Sequence, residues 1–304
     1  TRIILRAATS EGGLESATAK AAWLDECGQD DFGIGAWEAT LRRLSLEQGR
    51  VLGTTTVYNL GWLYTEVYQR WLAGDPDYYV EQFESIMNPM FPVEEFERAR
   101  NSLPAWKFEM QYRGNFSRPA GMIYEDYDEQ IHKVEPFDIQ PEWPRYVGID
   151  PGAVNTGMIW IAENPEKKVY YVYRESLEGG KTTKQHAAQA KNLAQKENVV
   201  AWALGAKSEQ QQRWDWQAEG VPVREPEIVD VEAGIDRVIR LLKEKRLFIF
   251  ANCKGLLDEI GRYRRVLDEY GQPTEKIKDK EKYHLCDALR YDVQLFTDEG
   301  WFMS

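Results

Sequence analysis

Two carboxylates, each set by a short apolar segment, carry the chemistry this sequence offers most directly. Tyr146-Val147-Gly148-Ile149-Asp150-Pro151-Gly152 is an apolar strand with one acid at its carboxyl end and a turn that stops it. Strand ends of this kind are where α/β sheets place their sites. A carboxylate held there can bind Mg²⁺ or Mn²⁺, because hard divalent cations take oxygen ligands and two or three acids can share a pair of ions. The ordinary alternative is an Asp opening a type I or II turn before Pro-Gly. The second acid is Asp287, in Tyr283-His284-Leu285-Cys286-Asp287-Ala288-Leu289-Arg290-Tyr291. At about 100° per residue, Leu285, Leu289, Val293 and Phe296 form one apolar stripe, which leaves Asp287 with Arg290 and Gln294 on the opposite flank. Periodicity alone therefore assigns Asp287 to a solvated face.

The elements that must position these acids follow from the apolar pattern. Tyr146 to Asp150, Gly157 to Ala162 and Val169 to Arg174 read as three strands in succession, joined by short turns at Pro151-Gly152 and Asn164-Pro165. Thr182 to Lys196, rich in Ala, Gln and Lys behind two threonines, reads as a helix. Val199 to Leu204 follows as a strand, then Val231 to Lys245 as a helix, Leu247 to Phe250 as a strand, and Lys254 to Tyr263 and Tyr283 to Phe296 as helices. Nearer the start, Ala21 to Leu24 reads as a buried strand ending in Asp25-Glu26, Ala36 to Leu44 as a helix, Arg50 to Thr55 as a strand and Leu60 to Leu72 as a helix. Three prolines, Pro136, Pro141 and Pro144, interrupt any regular period between Ile131 and Arg145. The boundary between two α/β units is expected there, giving residues 1–135 and 136–304.

Composition narrows the class. The chain has 304 residues, 43% hydrophobic and 29% charged, enough to bury one or two cores. No apolar run approaches the ~18 to 20 residues of a membrane span, and a soluble, intracellular protein is expected. Cys27, Cys253 and Cys286 have no metal-type spacing and are expected to be reduced, partly buried thiols. The net charge of −12 and a pI near 5.0 argue against coating nucleic acid through overall charge. Local basic strips at Arg262, Arg264 and Arg265 and at Lys276, Lys278, Lys280 and Lys282 are the candidates for phosphate contact.

The element order β-β-β-α-β-α-β-α-α resembles a ribonuclease H-like domain, whose nucleases supply their first metal ligand from a strand-end Asp and their last from a helical Asp. More specifically, the sequence resembles the large terminase subunit of tailed bacteriophages. VGIDPG, GAKSEQQQRWDW, DVEAGIDRV, CKGLLDEIGRYR and HLCDALRY resemble successive blocks of the terminase nuclease domain; AAWLDECGQ resembles the Walker B segment, GRVLGTTTVYN the coupling motif, and MQYRGNFSRPAGMIYEDYDE the end of the ATPase domain.

That resemblance implies the rear part of a P-loop-type ATPase domain followed by a ribonuclease H-like, mixed-sheet nuclease domain. It implies a metal-dependent endonuclease that cuts double-stranded DNA during phage genome packaging in the host cytoplasm. The implied partners are DNA, the portal protein and the small terminase subunit in a ring-shaped motor, with no membrane. Asp150, Glu209 and Asp287 would ligate Mg²⁺ or Mn²⁺. The third ligand in this fold lies at or just after the fourth strand, where Glu209 is the nearest acid; Glu175 and the Asp230/Glu232 pair compete, as a strand end and as a helix N-cap. His284 would orient a ligand or water, or make a structural hydrogen bond.

Asp25 and Glu26 would serve a nucleotide's Mg²⁺ and attacking water, and Thr54 and Thr55 would sense the γ-phosphate. The alternatives are solvated strand ends. The family's GxxxxGK[ST] loop has no candidate ahead of Asp25, and Gly180-Lys181-Thr182 has Glu175 where the first glycine belongs. ATP is therefore expected to serve only a complete ATPase domain, and this chain alone is not expected to hydrolyse it. The rival readings are a DNA-binding or assembly module of a prophage relic that does not cut, and a ribonuclease or junction resolvase on the same fold.

Overall fold

The computed structural model describes residues 3–7, 18–152, 154–227, 230–269 and 271–296. It divides into two compact units, residues 1–122 with 264–277, and residues 123–263 with 278–304.

In the first unit, β1 (Ala21–Asp25), α1 (Ile34–Leu44) and β2 (Arg50–Thr54) precede a π-helical segment, Leu63–Tyr68, that runs into α2 (Gln69–Leu72); α3 (Val93–Ser102) and α4 (Ala105–Tyr112) follow. Strands β1 and β2 pair in parallel, with Asp25 opposite Thr54. Leu24, Cys27, Phe32, Trp37 and Trp62 form the core on one side of this pair, Trp37 stacking on Trp62 at 5.1 Å. The strand expected to be buried is so on that side alone. Trp23 and Leu52 are exposed, because alternate side chains of a strand point to opposite faces. Phe96, Ala99 and Phe108 form a separate cluster between α3 and α4, two helices whose short apolar faces the sequence reading passed over.

The second unit begins with α5 (Glu129–His132) and β3 (Lys133–Val134) and continues through β4 (Arg145–Pro151), β5 (Asn155–Asn164), β6 (Val169–Gly179), α6 (Thr183–Ala194), β7 (Val199–Leu204), α7 (Gln210–Ala218), β8 (Val223–Arg224), α8 (Val231–Lys243), β9 (Leu247–Phe250) and α9 (Lys254–Arg262). The chain then returns to the first unit as an antiparallel hairpin, β10 (Arg265–Leu267) and β11 (Pro273–Ile277), before the second unit closes with α10 (His284–Asp292).

Its seven-stranded mixed sheet has the order β3-β9-β6-β5-β4-β7-β8. β4, β5 and β6 form the expected antiparallel meander, while β7 and β9 join it in parallel on opposite sides. Val147, Ile149, Met158, Ile159, Trp160 and Ile161 have no exposed surface. Such continuous apolar runs suit central strands covered on both faces. α6 starts with a reciprocal cap, in which Thr182 Oγ1 accepts the Gln185 N–H and Gln185 Oε1 accepts the Thr182 N–H.

The break between units lies at Met122/Ile123 rather than at 135/136. Lys133–Val134 is an edge strand paired with Ile249–Phe250, and the proline-rich stretch after it is tied to the sheet. Arg145 Nη1 donates to Pro141 O at 3.2 Å and Trp143 O at 2.9 Å, and Nη2 donates to Gln140 O at 3.3 Å. Prolines lack donors, but carbonyls of this stretch, that of Pro141 among them, accept from a buried arginine, and Pro144 O accepts the Glu163 N–H. The expected second domain also loses its 264–277 segment to the first unit.

Candidate active site

Asp150 is the last-but-one residue of β4 and is 7% exposed. Its Oδ2 accepts a hydrogen bond from His284 Nδ1 at 2.7 Å; a carboxylate can only accept, so this nitrogen carries the proton. That bond raises the His284 pKa above its ordinary value; burial works against it, and the charges of Asp150 and Asp287 add to it. His284 thus opens α10 and holds its first turn against the end of β4.

The close approach of α10 to β4 depends on Gly148. A Cβ there would lie 2.1 Å from Ala288 O and 2.7 Å from Asp292 Cβ. Only a bare backbone leaves room for the helix, and this contact brings the first turn of α10, with Asp287, beside Asp150. Burial raises the Asp287 pKa; Arg290 opposes the shift, and repulsion from Asp150 reinforces it. Arg290 Nη2 donates to Asp287 Oδ1 at 3.0 Å.

The flank carrying Asp287 is not the solvated face that periodicity assigns. Arg290 and Gln294 are 3% and 2% exposed, and α10 is enclosed nearly all round, so its apolar stripe marks one buried face among several. At Gly234 of α8 an added Cβ would lie 2.6 Å from Arg290 Cγ, which marks how closely that flank is covered.

Glu209 comes from the other side. β7 runs parallel to β4, with Ile149 opposite Leu204, and the Gly205 N–H donates to Ile149 O at 3.0 Å. Gly205 turns the chain at φ +62°, a left-handed conformation that glycine adopts freely. Glu209 folds back over this turn, its Oε2 accepting the Ala206 N–H at 2.5 Å. Burial raises the Glu209 pKa, the Ala206 N–H lowers it, and repulsion from Asp150 and Asp287 raises it further. Asp150, Glu209 and Asp287 therefore share one electrostatic neighbourhood.

The competing acids have other duties. Glu175 lies on β6, separated from β4 by β5, and its Oε1 and Oε2 accept the N–H groups of Gly255 and Leu256 at 2.7 and 2.8 Å, the start of α9. Asp230 caps α8 by accepting the Ala233 N–H at 2.8 Å, and Glu232 lies in that helix's first turn. Of the basic strip, Arg262 pairs with Asp258, Arg264 pairs with Asp30 at 2.9 Å, and Arg265 Nη1 donates to Glu275 O at 2.9 Å. These three are structural cations. Lys276, Lys280 and Lys282 remain exposed, and the charge of Lys280 reaches Asp287.

The donor set suits a hard divalent cation, being three carboxylates with the nearby Cys286 thiol wholly buried. Among the described residues, no group of three or more His, Cys, Asp and Glu side chains is arranged so that it could hold a metal ion as it stands. All three cysteines are free and buried, and no described helix is long and apolar enough to cross a membrane.

In the first unit, Asp25 Oδ1 accepts the Thr54 hydroxyl at 2.8 Å, and Thr55 Oγ1 accepts the Gly28 N–H at 2.8 Å while donating to Thr56 O at 2.7 Å. Glu26 has φ +51° and its Oε2 accepts the Tyr58 hydroxyl at 3.4 Å. The two motifs expected to act together thus lie side by side on adjacent strands.

What sequence reading missed is Glu259. Its Oε1 and Oε2 accept the Leu285 and Cys286 N–H groups at 3.2 and 2.9 Å. The available signal was negative: α10 has Tyr283 where a Ser, Thr, Asp or Asn cap belongs, so its first amides need an acceptor from elsewhere.

No family model matches the chain. It is 23% identical over 218 residues to the terminase large subunit of Escherichia phage T5, a match that covers 68% of this chain and 49% of the relative. The chain thus spans about half the length of the curated relative it matches. Among solved structures, the large terminase of a thermophilic bacteriophage superposes with a TM-score of 0.50 at 18% identity, covering 93% of this chain and 72% of that one. The P22 large terminase nuclease domain gives a TM-score of 0.47 at 21% identity, covering 58% of this chain and 92% of that domain. In sequence and in fold, this α/β chain resembles the large terminase subunits of bacteriophages.

Proposed function

We propose that the second unit is a metal-dependent endonuclease acting on double-stranded DNA, and that the chain serves genome packaging as part of a DNA-packaging motor. What supports this reading is that Asp150 at the end of β4, Glu209 in the turn after β7 and Asp287 in the first turn of α10 repel one another, with His284 of α10 bonded to Asp150. These three would hold Mg²⁺ or Mn²⁺. When bound, such ions supply an activated water and stabilise the leaving 3′ oxygen of a phosphodiester.

The chain's own groups prepare that site. His284 fixes the Asp150 carboxylate through Nδ1 and Arg290 holds Asp287, while the Ala206 N–H orients Glu209. Burial and mutual repulsion raise the pKa of Glu209 and of Asp287, and a bound divalent cation would offset that repulsion. The exposed Lys280 and Lys282 flank the approach to α10 and would meet phosphates first.

Asp25, Glu26, Thr54 and Thr55 are assigned to nucleotide handling, a role for a complete ATPase domain. Portal protein, small terminase subunit and further copies in a ring are the partners this reading implies, and the host cytoplasm its place.

Glu209 rather than Glu175 is assigned as third ligand. Glu209→Ala should depress plasmid cleavage as severely as Asp150→Ala, by ~10²-fold or more. Glu175→Ala should cost stability first, because it strips two acceptors from the start of α9. Cleavage rates compared at matched folded fraction check this, and a fast Glu209→Ala enzyme beside a dead Glu175→Ala enzyme reverses the assignment.

The activity itself is tested by offering plasmid duplex, an RNA–DNA hybrid and a four-way junction with Mn²⁺, with and without chelator. Cutting of plain duplex that stops with chelator is expected. Preference for the hybrid or the junction would replace the substrate, and binding without cutting would make the chain an assembly module.

A further inference from the structure

We propose that Glu259 is a positioning residue for the active site, one that fixes the start of α10 and so aims Asp287 and His284 at Asp150. The proposal rests on the nuclease reading for its consequence in metal binding, though not for its structural content.

The first N–H groups of a helix have no partner within it. α10 begins at His284 behind Tyr283, which makes no side-chain cap. Glu259, on α9 and 3% exposed, supplies acceptors for two of them, one carboxylate oxygen to the Leu285 N–H and the other to the Cys286 N–H. Asp287 is the next residue. Its carboxylate therefore sits one step beyond the amides that Glu259 grips.

The alternative anchor is apolar packing, which is non-directional and lets a helix slide or rotate by a fraction of a residue. A two-pronged acceptor does not, since each oxygen must face its own N–H. Buried acids also carry a desolvation cost that only such pairing offsets. A carboxylate here, at the positive end of the helix, is thus better explained by where it places α10 than by its contribution to packing.

The anchor of Glu259 is itself held. Glu175 on β6 accepts the first amides of α9 in the same two-pronged manner, and the Tyr283 hydroxyl donates to Arg262 O at 2.9 Å from the other end of α9. Sheet, α9 and α10 are thereby linked in series by two carboxylates, and only the second touches the helix that bears Asp287 and His284.

The test compares Glu259→Gln, Glu259→Ala and Val238→Ala. Val238 is a buried residue of α8, outside both α9 and α10, whose truncation lowers stability. Glu259→Gln keeps shape and one acceptor but turns an amide NH₂ toward the second N–H, so it stays informative where Glu259→Ala fails to fold.

Hydrogen exchange at the Leu285 and Cys286 amides should accelerate by about tenfold or more in Glu259→Gln and stay native in Val238→Ala. The Mn²⁺ concentration for half-saturation, read from the EPR signal of free Mn²⁺, should rise by about tenfold in Glu259→Gln alone. Native exchange at both amides in Glu259→Gln overturns the proposal, as does an Mn²⁺ midpoint that moves no further than in Val238→Ala. A wild-type chain that neither binds Mn²⁺ nor cuts plasmid would defeat the nuclease reading instead, and the exchange comparison would still decide the role of Glu259.

Discussion

Asp150→Asn is expected to lower plasmid cleavage by ~10²-fold or more in a chain that folds and melts like the wild type. The substitution removes one negative charge and almost no volume. The amide oxygen can still accept the His284 Nδ1–H, the hydrogen bond that joins the end of β4 to the start of α10 at 2.7 Å. What disappears is anionic oxygen, the feature a hard cation selects. Loss of that charge also relieves repulsion on Glu209 and Asp287, so both carboxyls should move back toward their ordinary range. Rates of supercoiled-plasmid loss at saturating Mn²⁺, set against circular-dichroism melts of both proteins, check this; unchanged cleavage would remove Asp150 from the reaction.

Gly148→Ala should do the opposite, harming the fold and taking activity with it. In an open strand, replacing Gly by Ala stabilises by ~0.5–1 kcal/mol through the unfolded chain. Here the new Cβ would lie 2.1 Å from Ala288 O and 2.9 Å from Asp292 N, backbone atoms that cannot rotate away. Overpacking of this kind costs ~1–3 kcal/mol, occasionally more, and so outweighs the entropic gain. The displaced element is α10, which carries His284 and Asp287. A lowered urea midpoint together with a raised Mn²⁺ requirement is the expected pair of results, and a stabilised, fully active variant would mean that α10 does not pack on β4 as described.

The parts of the fold that were legible in the sequence are those whose surroundings are uniform. Val199 to Leu204 and Leu247 to Phe250 match their strands residue for residue, because strands with both neighbours in place are continuous apolar runs. The Asp at the end of β4 was readable for the same reason, since Pro151-Gly152 stops the run directly behind it. Helix α10 was readable as a helix and misread as a surface. A single stripe is sought when one face is buried, and here Gly234 and Gly148 let neighbouring elements cover the remaining faces as well.

Distance along the chain hid the rest. Glu259 belongs with amides that follow it by more than twenty residues, |i−j| of 26 and 27, across a hairpin that groups with the other unit. No local pattern records such a bond. The prolines between Ile131 and Arg145 misled for a related reason: they do break regular structure, but the carbonyls of Gln140, Pro141 and Trp143 accept from Arg145, so the stretch lies against the sheet rather than between units.

The central claim, that Asp150, Glu209 and Asp287 form one divalent-cation site, is tested most directly by anomalous scattering from crystals of the chain grown with Mn²⁺. An Mn²⁺ peak bounded by all three carboxylates is expected, lost in Asp150→Asn crystals. A peak at Glu175 or Asp230 with these three carboxylates free of metal, or no peak at millimolar Mn²⁺ in crystals of an active preparation, would contradict it.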